Sequence, residues 1–196
     1  MSGLGRIVLL LAAMQAAAAE PPTRQLFDQG RAFGEFVDTV KAQRDIWRKN
    51  VANASVPPDL LARFTRVSAG LQILIVAEDW CPDSVHTVPY ISRLADAAAV
   101  ELRVVDRKDG QSVMQRHTTP DGRQVTPTVV LLRHGRDVGA WIERPVPLQR
   151  LFQSLADPES ARQFSDRHRW YAADRGRTTL AELVELAERT NDGRRY

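Results

Sequence analysis

Short apolar runs of strand length alternate along this chain with stretches of helical periodicity. Leu71 to Val76 is apolar except at Gln72, the pattern of a central strand buried on both faces. Val85 to Ala99 follows with Val85, Val88, Ile91, Leu94 and Ala98 at mostly three-residue spacing, which predicts a helix that Pro89 should kink. Val100 to Val105 predicts a second strand, and Gln111 to His117 a short helix. Pro120-Asp121-Gly122 signals a turn. Thr128 to Leu132 and Val138 to Glu143 are two further apolar runs, and the polar loop His134-Gly135-Arg136-Asp137 between them predicts a hairpin. This β-α-β order with a closing hairpin predicts an α/β fold with a mixed β-sheet flanked by helices.

Outside this central part the pattern is helical. Arg24 to Asn50 contains no proline and reads as one long helix, weakened by Gly30 and Gly34. Asp59 to Ala69 reads as a second, ended by Gly70. After Pro145-Val146-Pro147, helices are expected over 148–155, 158–171 and 179–190, the last capped by Thr178 or Thr179. The expected organisation is a helical extension over 24–69, a core over 70–155 and a C-terminal helical extension over 156–196. The first nineteen residues stand apart. One arginine precedes the apolar stretch Ile7 to Met14, and Ala17-Ala18-Ala19 supplies small residues before Glu20. This is the pattern of a secretory signal peptide, so residues 1–19 are expected to direct export to a periplasm or the cell exterior. An alanine-rich helix of a cytoplasmic protein, or an uncleaved anchor, is the competing reading. The apolar stretch is short for a membrane span of about 20 residues, so no stable membrane insertion is expected after cleavage.

Composition removes several classes. The 196 residues carry a net charge of +3, with scattered arginines among acids, which argues for a solvated surface and against a nucleic-acid partner. Cys81 is the only cysteine, so neither a zinc cluster of paired cysteines nor an internal disulfide is available, and no bound metal is expected. His86 lies five residues from Cys81 along the same helix and is expected to point away from it.

Cys81 sits where the first strand gives way to the helix, in Glu78-Asp79-Trp80-Cys81-Pro82-Asp83-Ser84. A helix N-terminus presents unpaired N–H groups and a partial positive charge, which favour thiolate over thiol. Pro82 suits the first helical turn, where a missing N–H costs nothing. Trp-Cys-Pro-Asp-Ser resembles the Trp-Cys-x-x-Cys active site of the thioredoxin superfamily, with Ser84 in place of the second cysteine. Thr126-Pro127-Thr128, which precedes the strand from Thr128, matches the cis-proline landmark of that family, 46 residues after Cys81 and in the expected order.

The resemblance implies a thioredoxin-like fold with Cys81 as nucleophile, Trp80 shielding the sulfur, and Pro82, Thr126 and Pro127 lining the place where a partner lies. Ser84 is expected to donate a hydrogen bond from its hydroxyl to the sulfur, but it cannot expel a bound partner. The implied chemistry is therefore monothiol thiol–disulfide exchange with protein or small-molecule thiols and disulfides. An external thiol such as glutathione would act as co-substrate, and no resident cofactor is expected. The competing reading is a redox-inactive binding module. In many thioredoxins a buried acid on the strand before the motif assists proton transfer, whereas Leu74 and Ile75 occupy that place here. Glu78, Asp79 and Asp83 are expected to oppose thiolate formation.

Overall fold

The computed structural model describes residues 22–154 and 166–191. The segment expected to be a signal peptide, the cytoplasm-or-export question it carries, and part of the helix expected over 158–171 lie outside the described residues. Among the described residues the chain forms nine helices and four strands. β1 (Leu71–Val76), β2 (Glu101–Val105), β3 (Thr128–Arg133) and β4 (Arg136–Ile142) build one sheet in the order β2-β1-β3-β4. β1 pairs parallel with β2 and antiparallel with β3, and β3 pairs antiparallel with β4, so the expected mixed sheet is present.

The apolar run of β1 follows from its place between two layers. Ile73 and Ile75 join Val104, Val129 and Leu131 in the larger core, which holds Trp47, Phe64, Leu94 and Leu183. Leu74 and Val76 face the other way, with Val130, Leu132, Phe27 and Met114. No position on β1 from Ile73 onward meets water, so alternation gives way to a continuous apolar stretch. The β3–β4 connection is tighter than the four residues expected. It spans only His134 and Gly135, with φ of 51° and 71°, the pair of positive values that matches hairpin twist.

The single helix expected over 24–50 is instead three: α1 (Pro22–Gln29), α2 (Phe33–Thr39) and α3 (Arg44–Asn53). The first break is imposed by the sheet. Arg31 exchanges both backbone hydrogen bonds with Val104, so the chain there extends the edge of β2. A Cβ at Gly30 would lie 2.8 Å from the Arg103 Cβ, so glycine permits this approach. The second break has Gln43 in the left-handed region at φ 50°. Helical periodicity survives the breaks because each piece buries one side, Phe27 of α1 on the Leu74 face of the sheet and Phe36 of α2 and Trp47 of α3 in the larger core.

α4 (Pro58–Val67) agrees with expectation, and Gly70, at φ 69°, takes the chain into β1. α5 (Pro82–Ala97) carries the cysteine at its N-cap. α6 (Gln111–Arg116), α7 (Val146–Gln153), α8 (Asp166–Asp174) and α9 (Arg177–Asn191) complete the set. The cap expected from Thr178 or Thr179 is supplied by Asp174, whose carboxylate accepts the Thr178 N–H at 3.1 Å. Both threonines lie within the helix, and Thr179 is buried. No described helix is long and apolar enough to cross a membrane.

Candidate functional site

Cys81 is buried at the N-cap of α5 with extended φ/ψ of −76° and 120°. As cap, its sulfur accepts the backbone N–H of Ser84, the third residue of the helix, at 3.4 Å. The thiol donates in turn to the Thr126 carbonyl at 3.1 Å. The Thr126–Pro127 peptide is cis. The two halves of the motif therefore meet, with Thr126 and Pro127 beside Cys81.

Ser84 differs from expectation in which atom it offers. Its amide reaches the sulfur, while its hydroxyl is buried with no hydrogen-bond partner. Capping geometry explains this, because a cap side chain is met by the backbone of the third helical residue and not by that residue's side chain. Pro82 occupies the first helical position. Trp80 is 55% exposed, so it flanks the site from solvent and does not cover the sulfur by packing into the core.

The acids near the motif are each engaged. The Asp79 carboxylate accepts the Lys41 and Ala42 amides at 2.8 and 2.9 Å, and its carbonyl accepts the Trp47 indole N–H at 2.9 Å. The N-terminal helices thus anchor the loop before the cysteine. Glu78 accepts the Arg107 amide at 2.8 Å. Asp83 is buried, with Arg144 at 2.9 Å, Arg167 at 3.9 Å and the Tyr171 hydroxyl donating at 2.8 Å. Burial pushes its carboxyl above the usual carboxylate range, against the pull of the two guanidiniums and the Tyr171 hydroxyl. Its charge is thus largely answered before it reaches the sulfur.

Arg144 carries this network across the site. It also pairs with Glu143 at 2.5 Å, and the Glu143 amide donates to the Pro127 carbonyl at 2.8 Å. Glu143 sits at φ 67°, a left-handed conformation that costs a residue with a Cβ about 1–2 kcal/mol. Its carboxylate is held at the other side by Arg123 at 3.0 and 3.1 Å. One chain of ion pairs therefore ties the first turn of α5, which follows Cys81, to the carbonyl of the proline facing it. Phe152 of α7 lies under both arginines, with Arg144 at 4.4 Å and Arg167 at 4.8 Å from its ring centre. Sequence reasoning missed this network. Asp83 and Arg144 are 61 residues apart, and nothing in their spacing pairs them.

On the flank of α5 facing α3 and α8, His86 points away from the cysteine as expected. It meets His168 at 2.6 Å, stacks on Tyr171 at 4.8 Å and bonds Asn50 at 3.1 Å. His117 and His134 are elsewhere, with His117 paired to Asp137 at 2.6 Å. Among the described residues no group of three or more potential metal ligands converges. Leu74 and Ile75 are fully buried, and apolar neighbours surround them on both faces of the sheet.

Two solved structures are similar to this chain. The first is the 1.5 Å crystal structure of a protein of unknown function from Pseudomonas aeruginosa, with a TM-score of 0.65 and 20% identity, covering 83% of this chain and 95% of that one. The second is the crystal structure of an HIV epitope scaffold, with a TM-score of 0.62 and 20% identity, covering 84% and 96%. At this identity they speak to the fold alone. No curated protein matches the sequence. A family model described as Thioredoxin matches residues 30–158 of the 196. With the helix-capping cysteine and the cis-proline on a mixed four-stranded sheet, that match establishes the chain as a member of the thioredoxin superfamily.

Proposed function

We propose that this protein performs monothiol thiol–disulfide exchange through Cys81. The observation that carries the reading is the placement of the only cysteine at the N-cap of α5, against the Thr126 carbonyl and beside a cis-proline. After losing its proton to solvent, the Cys81 thiolate attacks one sulfur of a partner disulfide. A mixed disulfide forms and the partner's other sulfur leaves as a thiolate. The Ser84 amide, already directed at the sulfur, supports the negative charge before the attack. An external thiol, for which glutathione serves as the model, then attacks the mixed disulfide and returns Cys81. Trp80, Pro82, Thr126 and Pro127 form the surface against which the partner lies. Partners are protein or small-molecule disulfides.

Mass spectrometry after incubation with oxidised glutathione tests this directly. The native protein gains one glutathione, and Cys81→Ser gains none. Equal labelling of both would refute Cys81 as the nucleophile.

A second reading is a binding module without turnover. It draws on the apolar surroundings of Leu74 and Ile75, where no acid is available to accept the thiol proton, and on the thiol's bond to Thr126. Under that reading the module is redox-inactive, and Cys81 reacts only slowly with oxidised glutathione or alkylating agents at neutral pH. We further propose export to an oxidising compartment, where the resolving thiol would have to be delivered by a dedicated reductant. N-terminal sequencing of the protein from its source cells tests the export step, and an N-terminus at Met1 would contradict it.

A further inference from the structure

Helix α5 separates two faces of the molecule. Cys81 caps its N-terminus toward β3, and His86 lies five residues on, which at about 100° per residue places it well round the helix from the cap. There α3, α5 and α8 enclose a cleft of about 550 Å³, the volume of a small-molecule site. Its polar lining is cationic or neutral. Lys49, Arg169 and Arg175 contribute positive charge, and no aspartate or glutamate lines it. Arg169 is engaged by Asp166 at 2.9 Å, whereas among the described residues neither Lys49 nor Arg175 has an ion-pair partner.

The neutral groups are held in fixed directions. The Asn50 amide donates one hydrogen to the Val85 carbonyl at 2.8 Å and the other to His86 Nδ1 at 3.1 Å. An accepting Nδ1 places the His86 proton on Nε2, which donates to His168 Nδ1 at 2.6 Å. A His168 ring that accepts at Nδ1 is then left with an Nε2–H donor that this relay does not use. The field agrees with this picture. Burial, His168, Arg167 and Lys49 together hold the His86 ring down to about 4, so a further positive charge is disfavoured here. Ile46, Tyr90 and Tyr171 supply apolar wall between the charges.

We propose that this cleft binds a small organic anion, a phosphate or carboxylate head on an aromatic body, with Lys49 and Arg175 holding the head and His168 donating to it. The site is separate from the thiol and does not depend on the function proposed for Cys81.

The test uses the full chain and phenyl phosphate as probe, followed by the imidazole signals of His86 and His168 in NMR titrations. Inorganic phosphate and phenol are titrated separately to divide head from body. Phenyl phosphate is expected to bind more tightly than either fragment. The double variant Lys49→Gln/Arg175→Gln is expected to weaken it by about tenfold or more, the scale of losing one charge-assisted contact. Both side chains are exposed, so the variant keeps the native unfolding midpoint. Arg136→Gln, a surface change on β4, and Cys81→Ser are expected to leave binding unchanged. Absence of binding to the native protein, equal binding of inorganic phosphate, or equal weakening by Arg136→Gln would each overturn the proposal.

Discussion

At the scale of single residues the site turns on two atoms that face each other across one helical turn. The sulfur of Cys81 takes the Ser84 amide, and the Ser84 hydroxyl lies buried without a partner. Replacing that hydroxyl by a thiol restores the residue a dithiol cycle needs. Ser84→Cys is therefore expected to form an internal disulfide with Cys81 and to gain multiple-turnover reduction of a model protein disulfide in the presence of dithiothreitol. The native protein, whose mixed disulfide must wait for dithiothreitol to attack from solution, is expected to turn over more slowly. Turnover is read from the rate of disulfide loss under excess substrate, and identical rates for the two proteins would show that the missing thiol is not what limits the native site. Cys81, Pro127 and their order were legible in the sequence because each stands next to an apolar strand that fixes its place. The hydroxyl of Ser84 was misread because capping is a backbone interaction, and residue type says nothing of which atom will face the cap.

Among elements, one side chain adds a polar tie to the apolar packing of α3 on α5. Pro89 has no N–H, so it leaves the Val85 carbonyl without its helical donor, and Asn50 supplies one from α3 at 2.8 Å. The proline predicted from sequence to disturb the helix thus has its vacancy filled from a neighbouring element. Asn50→Ala strips donors from both the Val85 carbonyl and His86 Nδ1, and should cost about 1–3 kcal/mol in urea unfolding. Pro89→Ala in the same chain returns a helical N–H to Val85, so the double variant should lose less than the sum of the two single changes. Strict additivity would mean that Asn50 acts by shape alone. The sequence shows Pro89 but not its partner, because the pairing joins residues 35 apart through a side chain that has no apolar period to betray its direction. The same limit hid Asp83, Arg144 and Tyr171. It also hid the break between α1 and α2, which comes from Arg31 pairing with the edge of β2.

For the whole molecule, the buried His86 links the fit of α3, α5 and α8 to pH. Its ring is held down to about 4, against an ordinary 6.5, chiefly by burial and then by His168 and Arg167. The unfolded chain therefore binds a proton between pH 6.5 and 4 that the folded protein refuses. Stability contributed by neutral His86 is complete above pH 6.5 and declines as pH falls through 4, by about 3 kcal/mol in all. Acids with raised carboxyls, buried Asp83 and half-buried Glu182, act in the opposite direction over the acid range, so the comparison must be between variants. His86→Gln is expected to flatten the difference in unfolding free energy between pH 7 and pH 4.5. An unchanged difference would place the acid sensitivity elsewhere. The layered architecture was the most legible feature of the sequence, since β1 is apolar for a reason that any sheet covered on both faces shares. What the sequence did not reveal is that a polar network, beside the apolar contact of Tyr171 with Leu148 and Phe152, docks α8 near the thiol.

The central claim, that the fold makes Cys81 a nucleophile and does not merely bury it, is tested most directly by one rate. Mixed-disulfide formation with oxidised glutathione at pH 7 is measured by mass spectrometry for the folded chain and for the same chain in concentrated urea. If the α5 N-cap and the Ser84 amide prepare the sulfur for attack, the folded protein reacts faster than the unfolded one. A folded protein that reacts more slowly than its unfolded chain would contradict the claim and leave Cys81 as a buried structural thiol.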